Sequence, residues 1–273
     1  MPDERVRGQK PQESGAPAAE RRYRSPTIGE IFRRAGGIEV PEAMKEAARV
    51  SARSSGEGAL TDVFKGLDPA TDSVDGIYNE VINSLRGVSY TLEGIQPFID
   101  RNAEALKSNE NSGVIISAMI NNIIKEGDKV EFDSSGLLLR LVGYKLPCGT
   151  LTIHGNARSW AGDSMSGGTL TINGNAGDGT GHYMSGGTLT IKGNAGGWAG
   201  SSMSGGTLTI HGNAGNLAGY SMSGGTLTIK GNAGSDVGYG TSESKGKIVV
   251  EGHAKSIVKS RGGKLFVNGE EVK

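Results

Sequence analysis

The sequence predicts a parallel β-helix of nineteen-residue coils preceded by a small α-helical region. Three observations predict it. Five segments, GTLTIHGNARSWAGDSMSG, GTLTINGNAGDGTGHYMSG, GTLTIKGNAGGWAGSSMSG, GTLTIHGNAGNLAGYSMSG and GTLTIKGNAGSDVGYGTSES, follow one another in one register, with Thr150, Thr169, Thr188, Thr207 and Thr226 nineteen residues apart. Within TLTI, polar and apolar residues alternate, which is the period of a strand. Glycine is abundant, 46 of 273 residues, and recurs at fixed places, too irregularly for collagen and too regularly for a flexible linker.

The elements follow in chain order. Residues 1–25, mostly Pro, Glu, Arg, Gln and Ser, read as a disordered tail. Residues 26–127 read as an α-helical docking or capping region. Thr27 and Glu30 have capping-box spacing before Ile31 and Phe32, and Gly36-Gly37 would stop that helix. Pro41 suits the first position of the next, EAMKEAARVSA. Ile77, Val81, Ile82 and Leu85 fall at helical spacing, as do Leu92, Ile95, Ile99, Ala103 and Leu106, with Pro97 starting or kinking the second helix. Ser112 is expected to cap a helix holding Val114, Ile115, Ile116, Ile120, Ile123 and Ile124, with Gly127 as its stop. The β-helix then occupies 128–273. LLLRLVG at 137–143 reads as its opening strand, a weaker coil starts at Gly246, and KLFVNGEEV closes the array.

In TLTI, Leu151 and Ile153 point one way, Thr150 and Thr152 the other. Nineteen residues are too few for a helix–turn–helix repeat and suit one coil of short strands joined by glycine bends. Coils stacked about 4.8 Å apart would satisfy the backbone and build an inner column of Leu, Ile and Met. Burying one Leu or Ile gains roughly 1.5–3 kcal/mol. Ordering the backbone costs about 1–2 kcal/mol per residue, so a lone coil fails and a stack burying both faces of each coil succeeds. Asn156, Asn175, Asn194, Asn213 and Asn232 recur at one corner, where stacked side chains can bond coil to coil and Asn tolerates left-handed backbone. Met165, Met184, Met203 and Met222 recur opposite and are expected inside.

The spacing G-x-x-G-x-x-x-G appears as Gly174/Gly177/Gly181, Gly193/Gly196/Gly200, Gly212/Gly215/Gly219 and Gly231/Gly234/Gly238, with Arg158 at the corresponding glycine position of the first repeat. With GG-x-[IL]-x-[IV]-x-GNAG, and with Asn175, Asn194, Asn213 and Asn232, it resembles the GXGXG-motif β-helix family over about 135–269. That family includes the C-terminal domain of the glutamate synthase large subunit and the β-helical scaffold subunit of formylmethanofuran dehydrogenase. The resemblance implies a right-handed parallel β-helix acting as a spacer or scaffold, the metal and pterin chemistry lying on other chains. The chain begins Met1-Pro2 without an N-terminal Cys, so it resembles the non-catalytic piece alone.

Other candidates read as structural. His154 and His211 share an outward repeat position with Asn173, Lys192, Lys230 and Glu251. Three coils, roughly 14 Å, separate the two histidines, too far to share a metal; His182 and His253 sit elsewhere. The GNAG corners lack the Lys, the Ser/Thr and the following helix of a phosphate loop. Lys255, Lys259, Arg261 and Lys264 are basic, but Glu270 and Glu271 lie close, as on a solvated cap. Cys148, the one cysteine, permits no intrachain disulfide, iron–sulfur cluster or Cys-based zinc site, and reads as a structural thiol. Thr150/Thr152, Thr169/Thr171, Thr188/Thr190, Thr207/Thr209 and Thr226/Thr228 would form a flat two-column array similar to the TxT face of insect antifreeze solenoids, although β propensity alone accounts for threonine there. Beyond these the repeats offer few irregular features, among them Trp160, Trp198 and Tyr220.

Lys+Arg and Asp+Glu both number 29, so charge gives no pull toward nucleic acid or membrane. No apolar leader and no run of eighteen apolar residues is present, and a cytoplasmic location is expected. The expectation is a non-catalytic scaffold without cofactor, metal or activity of its own. It would serve a glutamate synthase-like or formylmethanofuran dehydrogenase-like oxidoreductase complex, with protein partners, or a second copy, met through the helical region. The alternatives are an ice- or surface-binding solenoid using the threonine face, and a self-assembling filament.

Overall fold

The computed structural model describes residues 57–67, 73–134, 136–137, 139–241, 245–258 and 263–272. The tail expected over 1–25, the capping box Thr27–Glu30, the Gly36-Gly37 stop and the Pro41 helix lie outside these residues. The repeat folds as the alternation requires. Strands β1 (Lys129–Asp133), β2 (Thr150–His154), β3 (Thr169–Ile172), β4 (Thr188–Ile191), β5 (Ser204–Ile210), β6 (Gly224–Ile229), β7 (Lys247–Val250) and β8 (Lys264–Val267) pair in parallel and in sequence order. A short β9 (Glu270–Glu271) turns back antiparallel on β8 and carries two exposed carboxylates to the edge of the sheet. Between β2 and β6, Thr stacks on Thr, Leu on Leu and Ile on Ile.

That register builds the core. Leu151, Leu170, Leu189, Leu208 and Leu227 are fully buried, as are Ile153, Ile172, Ile191, Ile210 and Ile229, while the threonines between them keep contact with solvent. Met165, Met184, Met203 and Met222 fill the interior, as their period predicts. Ala161, Ala199 and Ala218 complete the lining. At the equivalent position of the second coil Thr180 is also buried, and its hydroxyl donates to the Gly177 carbonyl at 2.9 Å, which satisfies the one polar atom introduced there.

A coil precedes the repeats that the sequence disguises. β1 pairs with β2 at an offset of 21 residues, Lys129 on Thr150. Further along, the Leu141 N–H donates to the Ser159 carbonyl as the Trp160 N–H donates to Asp178 one coil on, so the offset has returned to nineteen. Two extra residues therefore lie between Asp133 and Leu139. LLLRLVG is accordingly not a strand. Its described part from Leu139 on is the bend of this first coil, with Leu141 at φ 62 and Gly143 at φ 76, values that end extended backbone. Its apolar residues Leu139, Leu141 and Val142 are buried.

Helices α1 (Glu57–Gly66), α2 (Val74–Ser84), α3 (Ile95–Arg101), α4 (Ala103–Ser108) and α5 (Ser112–Asn121) lie before β1, with one 3₁₀ turn at Leu92–Gly94. Ser73 caps α2 by accepting from Gly76 N–H. The helix expected from Leu92 to Leu106 is three pieces. Pro97 sits in the first turn of α3, where its missing N–H breaks no bond. Asn102 separates α3 from α4 because its amide is used elsewhere, donating to Phe98 O at 2.8 Å and to Thr61 Oγ1 at 3.1 Å, which ties α1 to the break. Asn111, not Ser112, occupies the N-cap position of α5, and the helix ends at Asn121, before Ile123 and Ile124.

α5 is buried from Ser112 to Ile120 because α2 packs on it and the first coil lies beneath. A Cβ on Gly113 would overlap the Arg140 carbonyl, so only glycine allows this approach. Ser117 Oγ donates to Gly113 O and accepts from the Gly143 N–H at 2.8 Å. Asn121 Nδ2 donates to Tyr144 O at 2.8 Å. Gln96 of α3 accepts the Asp133 N–H of β1 at 2.9 Å, standing in for the strand that β1 lacks on that side. The helices thus cover the first turn of the solenoid.

Candidate functional site

The glycines of the motif serve the backbone. Gly174, Gly193, Gly212 and Gly231 pass so close to the preceding coil that a Cβ would strike the Oδ1 of Asn156, Asn175, Asn194 and Asn213. Gly177, Gly196, Gly215 and Gly234 lie equally close to the coil below. Gly181, Gly200, Gly219 and Gly238 have φ between 68 and 75 at the bend that turns the chain inward. The Asn ladder is real, with a chemistry different from the stacking expected. Each Asn Oδ1 accepts the backbone N–H of the next: Asn156 from Asn175, Asn175 from Asn194, Asn194 from Asn213 and Asn213 from Asn232, at 2.7–2.8 Å, and Asn232 from His253. None of these asparagines is left-handed; that backbone occurs at Trp160, Ser164, Tyr183, Trp198, Ser202, Leu217, Ser221 and Asp236 instead. The motif residues are thus occupied with one another, coil to coil.

The histidines do not converge. His154 Nε2 lies 3.2 Å from Glu131 Oε2 and its Nδ1 3.0 Å from Asn173 Nδ2, both at an exposed strand end. Among the described residues no three His, Cys, Asp or Glu side chains gather as a metal site would require. Cys148 is half-buried, with its thiol 3.5 Å from Ile124 O. Lys255 and Lys264 are exposed; Lys259 and Arg261 lie outside the described residues. The threonine columns run in register across β2–β6 and end against Lys129 and Glu131 on one side and Lys247 and Val249 on the other.

One grouping has no counterpart in the sequence motifs. Asp163 Oδ2 and His182 Nδ1 are 2.9 Å apart, with their side chains 12 and 19 % exposed. Ser164 Oγ donates to the other Asp163 oxygen. The His182 ring lies 4.8 Å from that of Trp160 and 3.9 Å from that of Tyr183. The next residue in this column is Ser201, buried one coil on, and its hydroxyl makes no hydrogen bond to the ring. Asp, His and Ser are therefore stacked without the nucleophile–base contact that acyl transfer needs. The signal was available: Asp163, His182, Ser201, Tyr220 and Tyr239 are spaced by nineteen, and that spacing puts residues in one column. What hid it is that no side chain repeats in the part where the pair forms.

This column and its neighbours form one edge of the solenoid, where the array stops repeating itself. Tyr183, Trp198 and Tyr239 are 58, 45 and 49 % exposed. Tyr220 and Tyr239 stack at 5.8 Å with planes 5° apart. The apolar hollow between the last coils, beside Met222, Ile248, Val258 and Leu265, brings no acid–base pair together. Among the described residues no helix is long and apolar enough to cross a membrane. No protein-family model matches the chain, and no curated protein matches it in sequence.

Proposed function

We propose that the chain is a non-catalytic scaffold, a rigid solenoid that holds other components at fixed separation. The carrying observation is the filled interior: the Leu, Ile and Met columns occupy the space inside the coils, and the motif glycines and asparagines are engaged with their own neighbours. In the reading that the GXGXG resemblance supports, the chain serves an oxidoreductase complex of the glutamate synthase or formylmethanofuran dehydrogenase type, and its partners dock on the helical region. Val114, Ile115 and Ile116 are buried in the chain itself, so docking would use the outer faces of α1–α4. The filament alternative fares worse, because helices lie over β1 and the β9 hairpin lies beside β8. Native mass spectrometry of the full chain purified from its source tests the reading. A stoichiometric complex with an oxidoreductase chain, cross-linked through Lys65 or Lys107, is expected. Turnover of substrate by the purified chain alone overturns it.

A second reading keeps the threonine face as an ice- or surface-binding array. Its support is that both threonine columns stay in register over five coils with partial exposure. Absence of thermal hysteresis at micromolar protein is the expected outcome. Hysteresis that vanishes when Thr190 and Thr209 are made bulky would promote this reading over the first.

A further inference from the structure

We draw no further inference here: the strongest candidate, the exposed aromatic edge of the solenoid at Tyr183 and Trp198, carries nothing, because the left-handed bends beneath it recur in every coil whatever residue stands there and nothing in the structure shows what covers it.

Discussion

Leu208 and Thr207 are neighbours in one strand and face opposite environments: the leucine is fully buried and the threonine meets solvent. Leu208→Asp should therefore cost about 3–5 kcal/mol, the penalty for an uncompensated buried charge. Thr207→Asp should cost less than about 1 kcal/mol, as surface changes do. Urea denaturation separates the two, and equal losses would contradict the assignment of faces. The ladder gives a finer test. Asn194 accepts the Asn213 N–H at 2.7 Å on an exposed corner. Its replacement by Ala should cost about 1 kcal/mol, because water replaces the acceptor only in part. Both outcomes could be anticipated from residue identity and period. The direction of the Asn bond could not, since a side chain able to reach another Asn can equally reach a backbone N–H.

At the scale of elements, the contact between the helical layer and the first coil is polar at its margin and titrates at both ends of the pH range. Asp75 of α2 accepts from Lys145 and from Tyr144 OH, and those bonds hold its carboxyl below the ordinary 3.8. A depressed carboxyl stabilises the folded state above its unfolded value and loses that effect as pH falls through the lower folded value. The α2 contact should therefore loosen below pH 3.8, and Asp75→Asn should remove the dependence. On the alkaline side burial raises Tyr144, helped by its bond to Asp75, and burial pushes Tyr90 up to about 12. A raised group stabilises below its unfolded value, so the layer should loosen again as pH climbs from the ordinary 10.0 toward 12. Hydrogen exchange of α5 reads both limbs. Removing the layer altogether exposes Leu139, Val142 and the free side of β1. A chain starting at Asp128 should keep a β-type circular dichroism spectrum and sediment as oligomers, and a stable monomer would show that the helices are not needed as a cap.

Over the whole molecule, each coil touches its two neighbours and little else, so stability should behave as a sum of nearest-neighbour terms. Deleting residues 188–206 joins Gly187 to Thr207 with every column in register. That chain should fold, with a modest fall in thermal midpoint. Deleting 188–205 shifts every later residue by one, turns Leu208 and Ile210 outward, and should abolish the cooperative transition. Circular dichroism melts of the two chains make the comparison, and equal melts would contradict a core set by register.

The coil, its period and its inner columns were set by sequence alone, because nineteen-residue identity puts the same side chain at the same place each time and alternation chooses the face. The helix over Ile77 and Val81 was legible for the same reason of period. What only the tertiary structure decided lies where repetition fails. The coil before Thr150 carries two extra residues and few of the repeat's letters, Gly143 and Gly149 among them, so LLLRLVG looked like a strand until its neighbours bent it. Period placed Val114 to Ile116 on a helix without saying what covers them, and they are core because Gly113 lets the helix settle on Arg140. Asp163 and His182 meet because stacking converts a distance of nineteen residues into one of a few ångströms, an effect of the fold on side chains that share no pattern.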